Sequence, residues 1–243
     1  MKKLLCILLL SPIFVNAQPD GTTILKNIDE NLSAENMVMT STMVIHGRRT
    51  SRSVTSKSWI QGEEKAFTEY LKPAREAGTK MLKLEDQLWT YSPDTDRTIR
   101  IAGHMLRQSL MGSDLSYEDM MEDSKLSDVY TASVSGEEEI QGRPCWVLDL
   151  TATSDDVAYH SRKMWVDKER MISLKEHRYA KSGKLLKTSE IKELLRAEGR
   201  WYPKRAVYKD ALSQGDGTEF IVESIEFNVD IPDYIFSRAA LRR

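Results

Sequence analysis

TKMLKLEDQLWTYSPDTDRTIRI, Thr79 to Ile101, holds three short runs rich in aliphatic, aromatic and β-branched residues: Thr79 to Leu84, Leu88 to Tyr91 and Arg97 to Ile101. Asp86 and the Ser92-Pro93-Asp94 corner separate them. Gaps this short, filled with turn formers, join antiparallel neighbours, because parallel partners need a crossover of about a dozen residues. The stretch therefore predicts a β-meander. The same pattern extends upstream through Met37 to His46, Ser53 to Gln61 and Lys65 to Leu71, each ended by Gly47, Gly62 or Pro73. Downstream it recurs in Val129 to Ser135, Pro144 to Thr153, Tyr159 to Val166, Met171 to Tyr179, Lys184 to Leu195, Trp201 to Tyr208 and Thr218 to Val229. Asp167-Lys168, Lys181-Ser182-Gly183 and Glu198-Gly199 read as hairpin turns between them. So many consecutive strands predict an antiparallel meander curling into a barrel or half-barrel rather than βαβ units.

The N-terminus reads differently. Lys2 and Lys3 precede the apolar run Leu4 to Leu10, and Val15-Asn16-Ala17 offers small residues for cleavage, so 1–17 is expected to be a secretory signal peptide. Pro12 and Asn16 interrupt a run already too short to span a bilayer. Removing 17 of 243 residues leaves 226, expected as one domain, 18–243, with 33 basic against 37 acidic residues once Lys2 and Lys3 are gone. No basic excess calls for nucleic acid. Cys6 leaves with the signal peptide, so Cys145 has no internal disulfide partner and is read as a small buried apolar residue beside Trp146. Asp20 offers an N-cap, and Ile24, Leu25, Ile28 and Leu32 follow at helical spacing, predicting a helix over 22–33. At the other end, Ile231 to Phe236 reads as a turn tucking Tyr234 and Phe236 against the sheet.

Catalytic signatures are missing from the pattern. His46, His104, His160 and His177 are scattered without zinc-site spacing, and no G-x-S-x-G, Gly-rich phosphate loop or S-x-x-K occurs. Glu137-Glu138-Glu139 reads as a solvated turn and Arg48 to Arg52 as a basic hairpin tip. No catalytic residue, metal or cofactor is expected. One segment breaks the β pattern: MLRQSLMGSDLSYEDMM, Met105 to Met121, has an apolar half, a Met-Gly-Ser-Asp pivot and an acidic half in which Ser116-x-x-Asp119 reads as a capping box. Met37, Met39 and Met43 share one face of the first strand, and methionine suits surfaces that accommodate variable apolar shapes as well as ordinary cores.

Tyr70-Leu71-Lys72-Pro73, Gly78 to Leu82, Leu88 to Pro93, Met111 to Asp119, Gly142 to Leu148 and the C-terminal Ile231-Pro232 follow one another as in the outer-membrane lipoprotein-sorting (LolA-like) family, which the chain resembles over most of its length. The resemblance implies a mainly β fold with short helices, a strongly curved antiparallel sheet forming an incomplete β-barrel with a helical lid. It implies a periplasmic, non-enzymatic carrier for lipid or lipoprotein acyl chains, with an RND-type inner-membrane permease or an outer-membrane acceptor as partner, and a monomer. The alternatives are a lipid- or lipoprotein-sensing regulatory module and a non-catalytic structural subunit of an envelope complex. The expected lining of cavity and lid is Met39, Met43, Phe67, Leu82, Trp89, Tyr91, Leu106, Leu110, Met111 and Leu148. The family's Arg-Pro latch is replaced by Glu63-Glu64-Lys65-Ala66, leaving Lys65 and Arg107 as candidate substitutes.

Overall fold

The computed structural model of the chain describes residues 19–47, 49–122 and 125–243. The expected signal peptide and Arg48 of the basic tip lie outside the described residues. Helix α1, Gly21–Leu32, begins where Asp20 accepts a hydrogen bond from the Thr23 amide, and it buries Ile24, Leu25 and Ile28. Strands β1 to β6 follow as Asn36–His46, Ser51–Gln61, Lys65–Lys72, Lys80–Leu84, Gln87–Ser92 and Arg97–Ile101. Single 3₁₀ turns at Gly103–Arg107 and Leu110–Gly112, then short helices α2 (Tyr117–Met121) and α3 (Leu126–Val129), lead into the second half. There, β7 to β13 are Tyr130–Ile140, Arg143–Ala152, Ser161–Asp167, Ser173–Tyr179, Leu185–Ala197, Arg200–Asp210 and Thr218–Phe227.

All thirteen strands belong to one sheet in the order β6-β5-β4-β3-β2-β1-β13-β12-β11-β10-β9-β8-β7. The chain thus starts in the middle of the sheet at β1, meanders out to the edge at β6, crosses to the opposite edge at β7 and meanders back until β13 lies beside β1. That last pairing runs from Met37 opposite Phe227 to Ile45 opposite Thr218.

The sheet is open, which corrects the expectation of a strongly curved incomplete barrel. Among the described residues β6 pairs only with β5 and β7 only with β8, so the ladder ends in two free edges. Closure would need β6 and β7 to hydrogen-bond, and instead the chain between them folds into short helices. The solvated turn expected at Glu137-Glu138-Glu139 is also corrected: these residues extend β7, where Glu138 accepts from the Trp165 indole at 2.8 Å, and the turn falls at Gln141 and Gly142, both at positive φ.

Alternation sorts the side chains of each strand onto two faces. On β3 to β5, Tyr70, Met81 and Leu88 join a cluster with the crossing segment, whereas Phe67, Leu82 and Trp89 join one with Ile231, Phe236 and Leu241 of the C-terminal segment. In that C-terminal turn Phe236 is buried as expected, but Tyr234 points outward, 57% exposed. Helix α1 packs on Leu148, Leu150, Met164 and Val166.

Candidate functional site

The segment between β6 and β7 is built to lie on the sheet. Leu110 and Leu115 are its buried anchors, 2% and 8% exposed, and the Leu110 amide donates to the Leu115 carbonyl at 2.7 Å, closing a tight loop. Met111 and Gly112 make the reversal at φ 50° and 66°; a Cβ on Gly112 would sit 2.9 Å from a guanidinium nitrogen of Arg52. Asp114 then ties the loop down: its amide donates to Thr218 Oγ1 at 3.0 Å, Thr218 Oγ1 donates to Asp114 Oδ2 at 2.8 Å, and the Asp210 amide donates to Asp114 Oδ1 at 3.0 Å. Ser116 and Asp119 form the expected capping box of α2, with the Asp119 amide donating to Ser116 Oγ at 3.3 Å and the Ser116 amide to Asp119 Oδ2 at 2.6 Å.

Beneath the loop the sheet contributes Met43, Ile45, Val54, Tyr70, Met81, Leu88 and Ile101, against which Met105, Leu106, Met111, Tyr117 and Met121 also pack. Each fully buried side chain of this size contributes about 1.5–3 kcal/mol. The segment therefore fills the apolar patch with the chain's own residues. Next to that patch the same face carries buried hydroxyls: Ser58 and Thr68 hydrogen-bond at 2.8 Å.

The acidic half of the segment lands on cations of β9, β10 and β11. Lys187 Nζ donates to Asp119 Oδ2, the Tyr159 hydroxyl to Asp119 Oδ1 at 2.5 Å, and Arg178 to both Asp119 and Glu122 at 3.3 Å. Arg162, 2% exposed, pairs with Glu122 and donates to Glu176 at 2.8 Å, and Arg178 donates to Glu176 at 3.0 Å. The Tyr130 and Tyr159 rings pack against the Arg162 guanidinium, 4.8 and 5.4 Å from their centroids. Burial pushes the Asp119 carboxyl up, but the Lys187 ammonium and the bonds from Tyr159 and Ser116 more than offset it, holding the carboxyl below its usual range. Glu176 is likewise pushed up by burial and brought below its ordinary value by Arg178 and Arg162. Burial lowers Arg162 to about 10, still cationic at neutral pH.

This network ties the segment to the sheet, and it uses neither candidate substitute. Lys65 donates to Gln61 at 3.0 Å and lies over the Phe236 ring on the opposite face. Arg107 sits in the segment's own 3₁₀ turn and lines two pockets beside it, of about 520 and 400 Å³. The larger pocket is rimmed by Glu85, Asp86, Asp155 and Asp156, and the smaller reaches Lys187.

The ten expected lining residues fall into groups. Met43, Leu106, Leu110 and Met111 meet in the cluster under the segment. Met39 is buried on the same face, two alternations along β1 from Met43. Phe67, Leu82, Trp89 and Tyr91 pack with the C-terminal segment, and Leu148 lies under α1. Sequence reading missed Arg162, Arg178 and Lys187. Cys145 is buried, and burial raises its thiol to about 11. Among the described residues, no group of three His, Cys, Asp or Glu side chains is placed to hold a metal, and no helix is long and apolar enough to cross a membrane.

A protein-family model described as "uncharacterized protein" matches residues 62–243. No match was found among curated proteins. Three solved structures have the same fold. A DUF1329 family protein from Desulfovibrio piger is 23% identical with a TM-score of 0.83, covering 91% of this chain and 97% of its own. An outer membrane lipoprotein-sorting protein domain from Vibrio parahaemolyticus is 22% identical with a TM-score of 0.80, covering 92% and 98%. A LolA superfamily protein from Nitrosomonas europaea is 23% identical with a TM-score of 0.76, covering 92% and 100%. The expected likeness to the lipoprotein-sorting family holds at the level of fold.

Proposed function

Because the chain belongs to the family matched over residues 62–243 and has the fold of LolA-superfamily proteins, we propose that it is a non-enzymatic lipid- or lipoprotein-sensing module of the cell envelope. In this reading an acyl chain is recognised on the face that Leu110 and Leu115 cover, with Met39, Met43, Leu106 and Met111 as its other contacts. The observation that carries the reading is that the patch is already filled by the chain's own segment. Ligand binding is then an exchange of one set of apolar contacts for another, and every binding event moves the segment. Coupling occupancy to a change of shape is what a sensor needs, and a partner in the inner or outer membrane would read the displaced segment.

Titration with a fluorescent fatty-acyl probe, combined with hydrogen exchange of the 105–121 peptide, tests this. Saturable binding that deprotects 105–121 is the expected result. A folded protein that takes up no probe would leave the structural-subunit reading standing instead. Transfer of labelled lipid between vesicle populations separates sensor from carrier: a sensor binds without net transfer, whereas rapid transfer would favour the carrier.

A further inference from the structure

The charges under the crossing segment do not balance without it. On the strands, Arg162 and Arg178 share one carboxylate, Glu176, and Lys187 pairs with Asp119 of the segment, so these four strand groups together carry two positive charges in excess. Asp119 and Glu122 supply the two missing negative charges, and both belong to the segment. If the segment lifts, both leave with it. Glu176 alone is then left to serve three cations, so a replacement anion stabilises the opened state. The closed state also leaves donors unused: the Nε groups of Arg162 and Arg178 are buried without an acceptor. Two carboxylates on a short helical turn do not reach them, whereas a tetrahedral oxyanion presents more acceptors from one point.

Geometry places this cation cluster beside the apolar patch. The segment that inserts Leu110 and Leu115 into the patch continues directly into Asp119 and Glu122, so a greasy half and a doubly negative half sit side by side on one face. Lys187 also lines the 400 Å³ pocket at the segment's margin, which gives the cluster an opening to solvent.

We propose that the segment is an internal mimic of an anionic amphiphile, and that the site it occupies takes a lipid whose headgroup is a phosphate monoester bearing close to two negative charges. The phosphate replaces Asp119 and Glu122 on Arg162, Arg178 and Lys187, and the acyl chain replaces Leu110 and Leu115. This deepens the proposed function and rests on it, since it names the ligand class of the same face.

Binding is measured on the full chain by isothermal titration and native mass spectrometry, with four probes: short-chain phosphatidic acid, phosphatidylcholine of matched chains, the matched free fatty acid, and inorganic phosphate. Phosphatidic acid is expected to bind at least tenfold more tightly than phosphatidylcholine, with inorganic phosphate weak. Asp119→Asn with Glu122→Gln, which removes the mimic's charge and loosens the segment, is expected to tighten phosphatidic acid binding about tenfold. Lys187→Gln, at the accessible end of the cluster, is expected to weaken it and provides the test should the double variant fail to fold. Equal binding of all three lipids, unaffected by these variants, would overturn the charge inference while the acyl-sensing reading stands. Inorganic phosphate binding as tightly as the lipid would reduce the cluster to a free-anion site. Fatty acid binding as tightly as phosphatidic acid would overturn the dianion requirement. Binding of no lipid at all would overturn both this inference and the function it rests on.

Discussion

Asp119 does three jobs with one carboxylate: it caps α2, accepts from Tyr159, and neutralises Lys187 and Arg178. Its depressed titration ties the docking of the segment to pH. A carboxyl held below its unfolded value stabilises the fold fully above that value, about 3.9 for aspartate, and the contribution disappears as pH falls through the lower folded value. The closed segment is therefore complete at neutral pH and weakens only in acid, with Glu176 acting in the same direction. Asp119→Asn should cost about 3–5 kcal/mol at pH 7, because it leaves buried cations without their partner. Thermal melting of both proteins across pH checks this: the gap between them should be widest at neutrality and shrink as pH drops below about 4. At this scale the sequence was readable only where partners are local. Ser116 and Asp119, three residues apart, could be paired by pattern; Asp119 and Lys187, 68 residues apart, could not.

Among the elements, the strands were legible because turn chemistry punctuates them. All thirteen runs became strands, and Glu198-Gly199 makes its reversal with both residues at positive φ. What the runs did not disclose was which face meets which helix. Phe67 and Tyr70 look equally suited to a lining, yet three residues along a strand is an odd step, and the first faces the C-terminal segment while the second faces the crossing segment. Glu137 to Glu139 were misjudged for a related reason: a run of like charge resembles a turn, but at a free edge one side of the strand is solvated and charges are tolerated. The crossing segment has its own weak point at the α2 cap. Ser116→Ala should cost about 0.5–2 kcal/mol. Hydrogen exchange followed by mass spectrometry should show 105–121 exchanging faster, by roughly 5–30-fold at the upper end of that range, with protection of β1 and β13 unchanged.

For the whole molecule, the decisive contact is between the ends of the sequence. β1 and β13 lie side by side in the middle of the sheet, and through them the wing β2 to β6 is joined to the wing β7 to β12. Local periodicity carries no record of a pairing between residues so far apart, so the strand order was the part of the fold that could not be read, as was the open sheet found in place of the strongly curved incomplete barrel. Val222, buried and opposite Ser41, sits in that seam. Val222→Pro should remove a ladder hydrogen bond in a central strand, where proline is not accommodated. Urea unfolding followed by circular dichroism should show a lower midpoint and a broader, less cooperative transition than the parent.

The crossing segment is spliced into the chain at both rims of the sheet, leaving β6 at one end and arriving at β7 at the other. In the proposed reading it is a tether under which a guest slides, rather than a flap swinging on one hinge. A guest that lifts it draws slack from both rims together, and each of those strands has only one neighbour to hold it. Whatever mechanical work the guest performs is thus delivered to the two rim strands of the sheet.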